Sequence, residues 1–165
     1  MAFSLSIALD SSGNFFVGGC TTGNGLDGIN LSGTQDAFIT KYNSSPVRQW
    51  TKLLGVSSAT TFGQSVSTDS SGNVFVGGYT NGSVDGNTLA GTQDIVVAKY
   101  NSSGTKQWTR QQGVTSVTVF GVSTTSDTSD SLFIAGCTDG GLDGNALTGT
   151  SDAFVTKFNS AGAKQ

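Results

Sequence analysis

Two aspartates, nine residues apart, recur three times in this chain. Asp27, Asp85 and Asp143 each precede a glycine, and Asp36, Asp94 and Asp152 follow them across a Gly- and Asn-rich loop. Carboxylates flanking such a loop are a beginning for a calcium site, with backbone carbonyls and Asn side chains as further ligands. Yet Ca²⁺ takes about 6–8 oxygens, and each copy supplies only two carboxylates. The architectural use is simpler: Asp27 and its copies shape an Asp-Gly turn, while Asp36 and its copies accept backbone hydrogen bonds where a strand begins. The expectation is therefore no cofactor, with calcium on these six aspartates as the variant.

Aromatic side chains are the next candidates. Trp50, Trp108, Tyr79 and Tyr100 present faces on which a sugar ring could stack, but at regular strand positions such residues also serve as packing anchors between repeats. Asp27, Asp85, Asp143, Trp50 and Trp108 are accordingly the candidate ligand-binding residues, for a glycan or a peptide. Lys41, Lys99 and Lys157 recur inside one predicted strand, at a solvated strand end or in a salt bridge to a nearby Asp.

Catalysis has little to draw on. The chain has 0 His, so acid–base work, a Ser/His/Asp set and a Cys/His set all lack their central residue, and no carboxylate pair is confined to one copy. The expectation is a non-enzyme. Cys20 and Cys137 occupy equivalent places two repeats apart, too distant for a disulfide, and read as small buried apolar residues. The net charge is −3 with no basic run, which excludes a protein that tracks phosphates on nucleic acid. No apolar stretch approaches the roughly 18 residues of a membrane span. Met1-Ala2-Phe3-Ser4 lacks the charged start and apolar core of a signal peptide.

The elements that must position these residues are themselves repeated. Phe3, Asp10, Phe16 and Gly19 return as Phe62, Asp69, Phe75 and Gly78, then as Phe120, Asp127, Phe133 and Gly136, at steps of 59 and 58 residues. A period of that length signals stacked supersecondary units, none able to bury its apolar surface alone. With 24 Gly, 1 Pro and 35% hydrophobic residues, the chain is turn-rich yet apolar enough to fold.

The middle copy reads most clearly. Phe62 to Thr68 alternates like a strand, Asp69-Ser70-Ser71-Gly72-Asn73 carries hairpin residues, and Val74 to Thr80 is apolar enough for burial on both faces. After the loop from Asn81 to Gly91 come a third strand, Asp94 to Tyr100, a turn at Asn101-Ser102-Ser103-Gly104, and a fourth strand, Lys106 to Gln111. Four short antiparallel strands per unit, with no helical period, describe one propeller blade. The fold class is all-β: a propeller segment of three blades, at 1–59, 60–117 and 118–165.

The string from Asp69 to Thr80, with Gly91-Thr92-Gln93-Asp94, Lys99-Tyr100-Asn101 and Gln107-Trp108-Thr109, resembles the SBBP-type bacterial β-propeller repeat. The resemblance covers essentially the whole chain. It implies a propeller, part of a larger secreted or cell-surface bacterial protein, and no particular reaction. Asp130-Ser131 departs from the Gly-Asn of Gly13-Asn14 and Gly72-Asn73, so that hairpin is expected to differ in turn type.

Trp50 and Trp108 set the fourth strands, and the next Trp falls due at 166, one past Gln165. Blade three is therefore expected to hold three strands, with Asp152 to Phe158 an open edge and Ala153, Phe154, Val155, Thr156 and Lys157 an interface. Three blades form an arc with apolar end faces, whereas propellers close with about 4–8 blades. The expected partner is a second copy, giving a six-bladed homodimer. A lectin-like or peptide-binding propeller using the repeated loops, and a fragment of a larger secreted propeller protein, are the alternatives.

Overall fold

The computed structural model describes residues 1–165, Val122 by its backbone alone. The strands follow the repeat. Blade one holds β1 (Ala2–Leu9), β2 (Phe15–Thr22), β3 (Gln35–Tyr42) and β4 (Arg48–Leu54). Blade two holds β5 (Thr61–Thr68), β6 (Val74–Thr80), β7 (Asp94–Tyr100) and β8 (Lys106–Gln112), and blade three holds β9 (Val119–Ser126), β10 (Leu132–Thr138) and β11 (Asp152–Phe158). Each sheet is antiparallel, and its strands lie in chain order. Among the described residues no helix is long and apolar enough to cross a membrane; the loop of blade two holds one 3₁₀ turn, Val84–Gly86.

The apolar runs are buried because blades cover one another. Every residue of β7 is buried. Phe16, Ala37 and Ile39 of blade one pack with Val74, Val76, Val84 and Tyr100 of blade two. One period later Phe75, Ile95 and Val97 pack with Leu132, Ile134, Leu142 and Phe158. The core is thus two successive junctions rather than a centre within any blade.

The paired glycines serve both levels of this packing. A methyl on Gly19, Gly78 or Gly136 would lie 1.8 Å from the carbonyl oxygen of Phe3, Phe62 or Phe120 on the neighbouring strand, so only hydrogen fits. The ladder shifts register there, between Ser4 and Ser6 in β1 and between Gly63 and Ser65 in β5, which is the bulge that such glycines permit. Gly18 and Gly77 admit the next blade instead: a methyl would sit 2.3 Å from Val66 Cγ1 and 2.5 Å from Thr124 Cγ2.

Three hairpins begin on an aspartate that binds its own turn. Asp69 Oδ1 accepts the amides of Ser71 and Asn73 at 3.1 and 2.8 Å, and Asn73 Nδ2 donates to Oδ2. Asp10 and Asp127 receive the equivalent amides. The expectation of a different turn in blade three is corrected: Asp130 takes φ +59° where Gly13 and Gly72 take +76° and +75°, so the turn is the same. A left-handed Asp costs more than Gly, and Asp130 offsets it by accepting Ser70 N and Oγ and Ser71 Oγ of blade two at 3.0, 2.7 and 2.6 Å.

Blade three has three strands, but its outer edge is not wholly open. Lys164 bridges to Phe158, as Lys106 pairs with Tyr100 in blade two, and the Gln165 amide donates to the Lys157 carbonyl at 2.9 Å. A fourth strand is begun, and the edge from Asp152 to Thr156 stays free.

Candidate functional site

The loop aspartates sit where the outer strand meets the blade. Asp27, Asp85 and Asp143 all have positive φ, at 55°, 51° and 57°, in Asp-Gly turns. Each pairs with the cation 21 residues later, Arg48, Lys106 and Lys164 in turn, and the Lys106–Asp85 contact is 2.6 Å. Thr51 and Thr109 add hydroxyl donors to Asp27 and Asp85. Gln112 of blade two reaches across to Asp143 at 3.0 Å. These carboxylates tie a loop to the strand that borders it.

Asp36, Asp94 and Asp152 do a separate job. Asp36 accepts the amides of Ser32 and Gly33 at 2.7 and 2.9 Å, and Asp94 those of Ala90 and Gly91 at 2.8 and 2.9 Å. Both are fully buried. Asp152 receives Thr148 N at 2.9 Å and its hydroxyl, in a more open setting. The two members of each sequence pair thus spend their oxygens on different partners. Among the described residues no group of three or more acidic or Cys side chains is placed to share a metal ion.

Gly55 and Gly113, which are not among the residues expected from the sequence, belong to this arrangement. A methyl on either would lie 1.9 or 1.7 Å from the carboxylate of Asp36 or Asp94. The signal was available in their 58-residue spacing.

Trp50 and Trp108 stand at the junctions. The Trp50 indole lies 5.9 Å from Phe16 of its own blade and 6.5 Å from Tyr100 of the next. Its Nε1 donates to the Ser102 carbonyl at 3.2 Å, and the turn glycine, Gly104, rests on the ring. Trp108 repeats this with Phe75, Phe158, the Ser160 carbonyl at 3.1 Å and Gly162. Burial, assisted by Asp85, pushes the Tyr100 hydroxyl pKa well up. Tyr79 stacks on Phe62 at 5.2 Å.

The strand lysines are buried rather than solvated in blades one and two, and those of blades two and three make the expected salt bridge to a nearby Asp. Lys99 pairs with Asp69 at 3.0 Å over the Phe75 ring, while Lys41 donates to the Ser102 carbonyl at 3.0 Å. Lys157 pairs with Asp127 at 3.2 Å in a more exposed place. Both cysteines are free thiols, and burial raises the Cys20 pKa. Cys137 is half-buried, not buried as expected, because no blade covers that side of β10.

Repeated outer strand, repeated loop and repeated Trp-on-turn junction together define the unit. Residues 49–84 match the SBBP β-propeller repeat. That stretch runs from the outer strand of blade one to the 3₁₀ turn of blade two, so the SBBP match spans the first junction. No curated protein matches the chain. Among solved structures the chain is similar to the Hadza microbial sialidase Hz136, with a TM-score of 0.61 and 12% identity over 99% of this chain and 36% of that one. At that identity the likeness is one of fold. The chain spans about a third of the sialidase's length.

Proposed function

We propose that the chain is a non-catalytic β-propeller interaction module whose end faces associate with those of a second copy, giving a homodimer of six blades. The observation that carries this reading is what the ends present. The residues that close the internal junctions have counterparts in Phe133, Ala153 and Val155 on blade three and in Phe15, Val17, Leu26 and Tyr42 on blade one. Phe3, Leu5, Ile7 and Leu9 of β1 are 50–63% exposed and Val155 is 69% exposed. Apolar faces of this kind mark association sites, and a two-fold assembly is the commonest closure.

Support for a non-catalytic role is that the repeated carboxylates serve turns, strand starts and ion pairs in every blade. The likeness to a sialidase makes turnover of a fluorogenic sialoside the assay to run beside it. Light scattering coupled to gel filtration tests the assembly: twice the chain mass, reverting to one chain mass in Ile7→Glu, is expected. A monodisperse monomer across the micromolar range overturns the dimer, and sialoside hydrolysis that survives repurification overturns the non-catalytic role.

A further inference from the structure

We propose that Lys99 and Asn73 join in an isopeptide bond inside blade two, with Asp69 transferring the protons. An amine, a carboxylate and a carboxamide meet there at one atom: Asp69 Oδ2 receives Lys99 Nζ at 3.0 Å and Asn73 Nδ2 at 2.8 Å. A lysine nucleophile needs a base within hydrogen-bond reach, and this base also touches the nitrogen that must leave. Its other oxygen is fixed by the amides of Ser71 and Asn73. The strands set the contact. Phe75 pairs with Lys99 across the ladder, so Asn73, two residues before Phe75 and on the same face, lies diagonally opposite the lysine.

Blade two packs on a neighbour at each side, and its Lys99 and Asp69 side chains are closed off from water. The Phe75 ring lies 5.1 Å from Nζ, and the Asp130 turn of blade three is bonded over Ser70 and Ser71. Aligned groups held in contact react at effective concentrations of about 10⁵–10⁸ M. In the reaction Asp69 takes a proton from the Lys99 ammonium, and the free amine attacks Asn73 Cγ as the carbonyl π bond opens. Asp69 then passes its proton to Nδ2 and takes a second one from Nζ. The carbonyl re-forms, the Cγ–Nδ2 bond breaks, and ammonia leaves with that second proton as ammonium. Asp69 is again a carboxylate, and nothing else is consumed. The ion pair is the arrangement before reaction, and the event happens once per chain, without turnover.

The other blades act as internal controls. Blade one places Asn14 Nδ2 on Asp10 at 2.7 Å, but its lysine, Lys41, donates to the Ser102 carbonyl instead. Blade three pairs Lys157 with Asp127, but Ser131 stands where the carboxamide would be. Among the described residues, blade two alone brings all three groups together. The bond would staple the start of β6 to β7 in the middle of the array, and a covalent link of this kind acts mainly by restricting the unfolded chain.

The test is mass spectrometry of the full chain, incubated folded at neutral pH and then denatured and digested with trypsin. The expected mass is lower by one ammonia. Trypsin should fail to cut after Lys99, whose amine is acylated, and leave one fragment from Leu53 to Lys106. Asn73→Ser gives blade two the turn residue that blade three already holds, so it should fold, keep the full mass and restore the cut. Asp69→Asn, with its fold verified by circular dichroism, should do the same. Full mass with cleavage after Lys99 in the parent chain overturns the proposal. So does an ammonia loss that leaves Lys99 cleavable, which marks a succinimide at an Asn-Gly step such as Asn24-Gly25. A cross-link that persists in folded Asp69→Asn overturns the role of Asp69.

Discussion

Lys99–Asp69 and Lys157–Asp127 are the same ion pair one repeat apart, and their surroundings differ. In blade two the side chains are 7% and 0% exposed, at 3.0 Å, whereas in blade three they are 40% and 31% exposed, at 3.2 Å. The lysine lies over the equivalent phenylalanine in both, at 5.1 Å from Phe75 and 5.0 Å from Phe133. The ion pair and the lysine's place over the phenylalanine are therefore kept while burial changes. Blade three is what covers the first pair: its Asp130 turn is bonded to Ser70 and Ser71 beside Asp69. Burial here is a property of the array, conferred by the next blade.

The largest expected effect tests that contrast. Lys99→Met removes one partner of a buried pair and leaves Asp69 enclosed, a loss of about 3–5 kcal/mol readable from urea unfolding. Lys157→Met in dilute protein should leave the midpoint nearly unmoved, since exposed pairs contribute little. At concentrations where a dimer forms, blade one of the partner would cover Lys157, and the two variants should converge. Equal losses at every dilution would break the comparison.

Intermediate in size is the contrast between a junction glycine and its end-face counterpart. Gly77→Ala drives a methyl to 2.5 Å from Thr124 Cγ2, overpacking that costs about 1–3 kcal/mol. At the free end Ala135 already stands in that place, and Ile7 replaces the Val66 and Thr124 that fill the internal junctions. In the proposed six-bladed ring a closing contact would thus be bulkier than an internal one at this point. Ala135→Gly should leave monomer stability almost unchanged and tighten association, measured by sedimentation across a dilution series. Weaker association would mean that the end faces meet in a geometry unlike the internal junctions.

The sequence discloses what repeats within one blade and hides what depends on the next. The strands, the Asp-Gly turns and the aspartates at strand starts were legible because the 58-residue recurrence marks each of them and local hydrogen bonds satisfy them. The salt-bridge alternative for the strand lysines holds at Lys99 and Lys157, but the burial of Lys41 and Lys99 is not legible, since a Lys in a strand reads as solvated until the following blade covers it. Asp130 misleads for the same reason: its turn looks wrong in isolation, and the bonds that justify it reach Ser70 and Ser71 sixty and fifty-nine residues earlier. The 58-residue spacing of Gly55 and Gly113 marks them as repeated, but their purpose shows only once the buried carboxylates of Asp36 and Asp94 are seen against them.

The smallest effect concerns acid. Hydrogen bonds from the Ser71 and Ser70 hydroxyls, then the Ser70 amide and the charge of Lys99, hold the Asp130 pKa below its ordinary 3.8. Asp127 is held low first by the Ser131 amide, and in Asp10 burial raises the pKa but the bonds from Asn14 and Ser12 outweigh it. A carboxylate lowered on folding contributes stability that is fully present above its unfolded pKa and is lost as pH falls through the folded value. Unfolding midpoints should therefore be flat above about pH 5 and decline below about pH 4. Asp130→Gly keeps the left-handed turn without its strain but deletes the acceptor, and so removes one of the three contributions. The stability difference between parent and Asp130→Gly should change little from pH 7 to 5 and shift toward the variant below pH 4, as the parent's carboxylate takes up its proton and the clamp onto blade two is lost. Parallel pH curves would show that Asp130 holds the second junction by its shape in the turn, and the charge on the clamp would then play no part.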